Sequence, residues 1–217
     1  MPIAGHFKFS NDQCPKNNED TKRMESVSYS EAIGCLMYSM VSTILDLAYP
    51  ISVLSRYMAN LGEPHWEGLK WLLRYIKGTF NYGLYFKKAK GQIELEGLVD
   101  SDYAANRDNR KSVTSFIFLL NGNCICWKTQ LQPVVALSTI EAEFMVVTEA
   151  IKEGIWLQGL LKELKMLKGR VTIREKIENK EIDLEKVPTE ENAADLGTKV
   201  LPLNKFKYCL NLIGLEE

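Results

Sequence analysis

Hydrophobic and polar residues change their rhythm at Gly78. Before it, from Ser30 to about Lys77, apolar residues recur at helical spacing; after it they come in short alternating runs. The first apolar run, Ala32 to Val41, follows the candidate cap Ser30. A second, Leu45 to Met58, contains Pro50, which costs roughly 3 kcal/mol in a helix interior and so predicts a kink or a late start. In the third, Pro64 suits a first helical turn, Trp66, Leu69, Leu72, Leu73 and Ile76 repeat at helical spacing, and Gly78 stands where a glycine ends a helix. Residues 1–28 are polar with no sustained period and read as a linker.

After Gly78 the runs Tyr82 to Phe86 and Ile93 to Val99 read as strands, and Phe116 to Leu120 joins Cys124 to Trp127 through Asn121-Gly122-Asn123, a hairpin signal. An antiparallel meander follows from this order. Ser138-Thr139-Ile140-Glu141 matches a capping box, and behind it Ile140, Phe144, Val147, Ile151, Ile155, Leu161 and Leu164 mark an apolar stripe on a long helix ending near Lys168. A short helix over Ile173 to Asn179, a strand over Glu181 to Val187, a helical ENAADLGTK capped by Thr189, and a last amphipathic segment from Lys205 to Ile213 complete the reading.

Composition narrows the functions. The net charge of −1, from 27 basic and 28 acidic residues, leaves any nucleic-acid contact to a local patch. No apolar stretch is long enough for a membrane helix, and the first residues lack the apolar core of a secretory signal, which points to an intracellular protein, cytoplasmic or nuclear and not secreted. The five cysteines are scattered without a CxxC pair, which supports neither a disulfide framework nor a zinc site; Cys124 and Cys126, two apart on a strand, are expected on one face as core thiols.

Three acidic positions invite a chemical reading. Asp100 closes the apolar strand EGLVDSD, with Asp102 two residues on and on the same face; a turn is the ordinary reason for Asp there. Glu143 lies in the first turns of the long helix, where the helix dipole alone favours a carboxylate. Asp195 follows two alanines and is equally compatible with a solvated face. Brought together, such carboxylates make an oxygen-only cage suited to Mg²⁺ or Mn²⁺, and two such ions about 3.5–4 Å apart activate water against a phosphodiester.

The segment VDSDYAANRDNRKSVTSFIFLLNGNCICWKTQLQPVVALSTIEAEFMVVTEAIKEGIWLQGLL resembles the ribonuclease H domain of copia-type retrotransposon polyproteins. The carrying motifs are the acidic pair before D-N-R-K-S, the block from W-K to S-T-I-E-A-E, and V-P-T-E-E-N-x-A-D-x-x-T-K. Upstream, YSEAIGCLMYSMVST and LSRYMANLGEPHWEGLKWLLRYIKGT resemble the end of a reverse transcriptase. The resemblance implies an α/β fold with a mixed five-stranded sheet, and hydrolysis of the RNA strand of RNA–DNA hybrids with Mg²⁺ or Mn²⁺ and no small-molecule cofactor. By motif, Asp100, Glu143 and Asp195 become catalytic metal ligands, with Asp102 an alternative to Asp100. Arg107, Arg110, Lys111, Ser138 and Thr139 become contacts to the hybrid, against their plain reading as a solvated basic turn and a helix cap.

The same resemblance divides the chain into a linker (1–28), a helical reverse-transcriptase end (29–90), a ribonuclease H-like domain (91–200) and a C-terminal helix (201–217). It also exposes a gap. The strand that bears a further catalytic Asp in the family has no counterpart between Thr172 and Ile173, and Ile44-Leu45 stands where the family has Arg-Pro. The expectation is therefore a hydrolase with impaired activity, the alternative an inactive remnant serving at most as a nucleic-acid-binding scaffold, either of them a partner for the rest of a reverse transcriptase.

Overall fold

The computed structural model describes residues 1–88, 93–166 and 185–216. Helices α1 (Asn18–Glu25), α2 (Tyr29–Ser42), α3 (Ala48–Leu54) and α4 (Glu63–Gly78) come first, then strand β1 (Gly83–Leu84). Strands β2 (Leu95–Asp102), β3 (Val113–Leu120) and β4 (Asn123–Leu131) precede the long helix α5 (Thr139–Glu163); a 3-10 turn (Ala193–Gly197), helix α6 (Leu203–Leu212) and strand β5 (Leu215–Glu216) close the chain. No helix among the described residues is long and apolar enough to cross a membrane.

Proline chemistry sets the helical boundaries as expected. Pro50 is the third residue of α3, behind a 3-10 turn at Leu45–Leu47, and Pro64 is the second residue of α4; neither position has an upstream carbonyl to receive the missing amide hydrogen. His65 is fully buried, stacked on Tyr57 at 3.8 Å, and its Nδ1 accepts the Gly62 amide at 3.0 Å, which supplies the cap that Gly62 itself lacks. Tyr29, Ile33, Leu47, Ile51, Leu54, Leu69 and Leu72 fill the core of this unit. Each such aliphatic side chain contributes about 1.5–3 kcal/mol by leaving water.

Residues 1–28 are not a linker. They form a 3-10 turn and α1, whose Asn17 cap accepts the Asp20 amide at 2.8 Å, and they bury Ile3, Phe9 and Cys14 in the helical core. Three apolar anchors in a polar stretch are too sparse to register as a period, yet each finds a hole; the Phe9 ring lies against Gly68, where any side chain would collide with it.

The meander forms as the turn chemistry requires. Strands pair antiparallel in the order β2-β3-β4, and Asn121 and Gly122 take φ of 50° and 75°, the two positive values of a tight hairpin turn. One mixed five-stranded sheet does not appear: among the described residues the strands split into this meander and a separate antiparallel β1-β5 pair, with Gly83 opposite Glu216. The mixed α/β class stands. A register shift at Phe118/Leu119 sets Leu119 opposite Cys124 but Phe118 opposite Cys126, so Ile125 is extra. The bulge overturns the shared face of the two thiols: Cys124 joins the Leu98, Ile117 and Leu119 cluster, and Cys126 the Phe116 and Phe118 cluster on the other side.

Helix α5 begins at Ser138, whose hydroxyl accepts the Glu141 amide at 3.1 Å, while Glu141 reaches back one residue further than expected, to the Leu137 amide at 2.7 Å. Its buried face is Ala142, Val146, Ala150, Leu157 and Leu161, which shares Leu161 with the expected stripe, while Val147, Ile151 and Ile155 are half-buried. Ile140, Phe144 and Leu164 lie exposed, as does Trp156. Phe116 and Phe118 already fill the space above the sheet, and Gly154 rests on the Phe118 ring, so the helix turns its small residues inward. The expected helix 173–179, most of the strand 181–187 and the gap at 172–173 fall outside the described residues; 185–187 are irregular.

The uncovered side of α5 should bind a hydrophobic dye in the native state. Replacing Phe144 and Trp156 together by Lys is expected to cut that fluorescence severalfold, while urea unfolding shifts by no more than about 0.5 kcal/mol per surface site. Undiminished fluorescence would place the dye elsewhere.

Candidate active site and its lysine pairing

Two faces of the meander carry different helices. Because side chains alternate along a strand, Leu98, Asp100 and Asp102 point to the face covered by the Ala193–Gly197 turn and α6, whereas Val99 points to α5. The turn is pinned there by Asn192, whose Nδ2 donates to the Val99 carbonyl at 2.7 Å while its Oδ1 accepts the Ala194 amide at 3.0 Å. Asn192, not Thr189, is the cap. At Gly197 a side chain would collide with the hydroxyls of Ser115 and Thr129, so the backbone lies directly on the sheet.

This contact delivers Asp195, fully buried, beside Asp100. Thr198 donates its hydroxyl to Asp100 Oδ2. Lys199 Nζ stands 2.7 Å from Asp195 Oδ1 and 3.4 Å from Asp100 Oδ2, and Lys205 pairs with Asp195 Oδ2. Burial pushes Asp100 up to about 6; the hydrogen bond and charge of Asp195 add to the shift, while Thr198 and Lys199 oppose it. Burial also favours a neutral Asp195, but hydrogen bonds from Lys199, Lys205 and Asp100 outweigh it and hold its pKa below the ordinary carboxylate value. Asp102, nearby, is raised by burial and by the charge of Asp195, with Lys199 opposing. Lys199 loses solvation too, yet its carboxylate partners keep its pKa above the ordinary value.

The structure thus gathers Asp100, Asp102 and Asp195, and leaves Glu143 apart. Glu143 is exposed on α5, across the sheet, and makes no hydrogen bond or ion pair among the described residues. The hybrid-contact candidates have structural employment of their own. Arg107 donates to the Lys8 carbonyl at 3.5 Å, Lys111 to the Pro133 carbonyl at 2.7 Å, and Ser138 caps α5. Arg110 is exposed at φ 61°, and Thr139 is the exposed first residue of α5. The residues missed from the sequence are Thr198, Lys199 and Lys205, although Lys199 lies four positions after Asp195, the spacing of a helical ion pair.

The carboxylates have the right chemistry for a hard divalent ion, but their arrangement does not fit one. Two ammonium groups already neutralise Asp195 and Asp100, and among the described residues no group of three or more His, Cys, Asp or Glu is placed to hold a metal.

A raised acid binds more protons folded than unfolded, so the contribution of Asp100 to stability is greatest below pH 3.8 and is lost as pH rises to about 6. Asp195 has the opposite sign: it stabilises above 3.8, and that stability is lost as pH falls through its lowered value. In Asp100→Asn the decline across the Asp100 window should flatten, with stability at pH 7 no lower than in the parent. Urea titrations at pH 4.5 and 7 test this; an unchanged slope would assign the titration to another group.

Comparison with known proteins places this sequence in a family. No protein-family model matches the chain, and no solved structure does. Along its whole length the chain is 39% identical to the retrovirus-related Pol polyprotein from transposon TNT 1-94 of Nicotiana tabacum, of which it spans 18%. That alignment runs over 246 positions for 217 residues, so the tobacco protein has residues here for which this chain has none. The Pol polyprotein from transposon RE2 of Arabidopsis thaliana is 34% identical over 66% of the chain, which covers 10% of that protein. Secreted RxLR effector protein 161 of Plasmopara viticola is 42% identical over 62% of the chain, which covers 94% of it. With matches of this extent to transposon polyproteins, joined to the motifs in its own sequence, the chain belongs to the retrovirus-related Pol polyproteins of copia-type transposons.

Proposed function

We propose that this chain is a ribonuclease H-like domain of retrotransposon origin that keeps a surface for RNA–DNA hybrids and has lost hydrolysis. The observation that carries the reading is the pairing of Lys199 and Lys205 with Asp100 and Asp195. Phosphodiester hydrolysis by two Mg²⁺ or Mn²⁺ ions needs carboxylates free to coordinate and arranged around the scissile phosphate. Here two of them are neutralised by ammonium groups, and Glu143, the fourth member of the expected set, lies across the sheet.

The hybrid-facing surface is the β2–β3 loop with Arg107, Arg110 and Lys111, together with Ser138 and Thr139 at the start of α5. The hydrogen bond from Lys111 to Pro133 ties the loop to the segment leading into α5, which brings basic and hydroxyl groups onto one rim. Such groups read phosphate and 2′-hydroxyl positions by shape, not by base sequence. Residues 29–90 serve on this reading as the end of a reverse transcriptase, and the rest of that polymerase is the natural partner, inside the cell.

The test is incubation with a hybrid labelled on its RNA strand, in Mg²⁺ and then in Mn²⁺, beside a binding titration at two salt concentrations. Expected are no product above the protein-free control and salt-sensitive binding that Arg110→Ala with Lys111→Ala weakens severalfold. Cleavage abolished by Glu143→Gln would restore the nuclease and overturn the loss; absence of both binding and cleavage would overturn the hybrid surface.

A further inference from the structure

The basic loop between β2 and β3 is held from within and from without, and one side chain joins the two sets of bonds. Within the loop, Asn106 is 4% exposed. Its amide donates to the Lys111 carbonyl at 3.0 Å, its carbonyl accepts the Arg110 amide at 2.8 Å, and its Oδ1 accepts the Asp108 amide at 2.9 Å. Arg110 sits inside this ring of bonds at φ 61°, a left-handed conformation that a residue with a side chain seldom adopts unless its surroundings enforce it.

From without, the helical unit supplies the partners. Asp108 Oδ1 accepts the Asn11 amide at 2.8 Å, a group that opens a 3-10 turn and has no carbonyl of that turn to meet. Asp108 Oδ2 accepts the Tyr57 hydroxyl at 3.1 Å, and Tyr57 is 3% exposed in the core of the helical unit, stacked on His65. The loop is thereby tied to a rigid neighbour through one carboxylate. By charge alone a carboxylate beside Arg107, Arg110 and Lys111 opposes the binding of phosphates, so any benefit it brings to this surface is geometric.

We propose that Asp108 is the positioning residue of the hybrid surface: held by Asn11 and Tyr57, it fixes the loop so that Arg110 and Lys111 are presented to the nucleic-acid backbone in advance. Ordering a loop beforehand raises affinity by removing the cost of ordering it on binding. The proposal rests on the hybrid-binding reading, and it adds that Asn11 and Tyr57 of the helical unit set the affinity of a surface to which they contribute no contact.

Titration of a labelled RNA–DNA hybrid with the full chain and with its Asp108→Ala and Tyr57→Phe variants tests the sign of the effect. Loss of a negative charge tightens binding if charge alone counts, whereas loss of positioning weakens it. Asp108→Ala should weaken binding severalfold. Tyr57→Phe, which removes one hydroxyl and changes no charge, should weaken it too, and the double variant should be no weaker than Asp108→Ala alone. Trypsin gives a readout without nucleic acid: cleavage after Arg110 and Lys111 should be severalfold faster in Tyr57→Phe, whose loop sequence is unaltered, while cleavage after Lys70 in α4 keeps the parent rate. Tyr57→Phe decides the matter if Asp108→Ala does not fold. Unchanged or tighter hybrid binding by the folded variants, or loop cleavage at the parent rate, would overturn the proposal. A parent chain that binds no hybrid overturns the hybrid-binding reading, and the cleavage rates then decide the tether by themselves.

Discussion

A carboxylate taken fully out of water has to be compensated, and Asp195 is the place where this chain meets that demand. Unpaired burial of a charge costs several kcal/mol even after the protein relaxes. Lys199, two residues past the same turn, and Lys205 from α6 bring their ammonium groups to it, and Lys199 also reaches Asp100 on β2. Those partners come from separate elements, so the pairing also fixes how α6 and the 193–197 turn lie on the meander. The pairing that secures this face of the fold occupies Asp100 and Asp195 with ammonium groups.

Much of this fold is legible in the residues because the controlling signals are local. Pro50, Pro64, the Asn121-Gly122 turn and the Ser138 cap each act through one or two backbone groups, and the structure places all four as their chemistry requires. What the sequence hid depends on distant partners. The phase of α5 was misread because size, not hydrophobicity, decides which side fits over Phe116 and Phe118. Residues 1–28 looked like a linker because anchoring by Ile3 and Phe9 needs the pockets of α3 and α4, which no local pattern reveals.

The candidate site divides along the same line. That Asp100 and Asp195 converge was readable from motif and strand-end position; that two lysines reach them first was not, since Lys205 lies on another helix ten residues on. The split into a three-stranded meander and a two-stranded pair departs from the mixed sheet expected of the family. The longer alignment of the tobacco relative accords with residues missing from this chain, and the described helix α5 keeps Ile140, Phe144 and Trp156 exposed.

Sequence separation gives the lysine pairing a further meaning. Lys199 meets Asp100 across 99 residues, and Lys87 meets Glu216 across 129. Closing loops of this length is entropically costly and slows folding relative to local helix pairing. The helical unit and the meander hold their own cores, so they can form while the face around Asp100 still lies open. Before Lys199 has been added during synthesis, Asp100 is without the ammonium group that stands beside it in the fold. Whatever the ribosome releases before residue 195 carries the strand end but not the lysines.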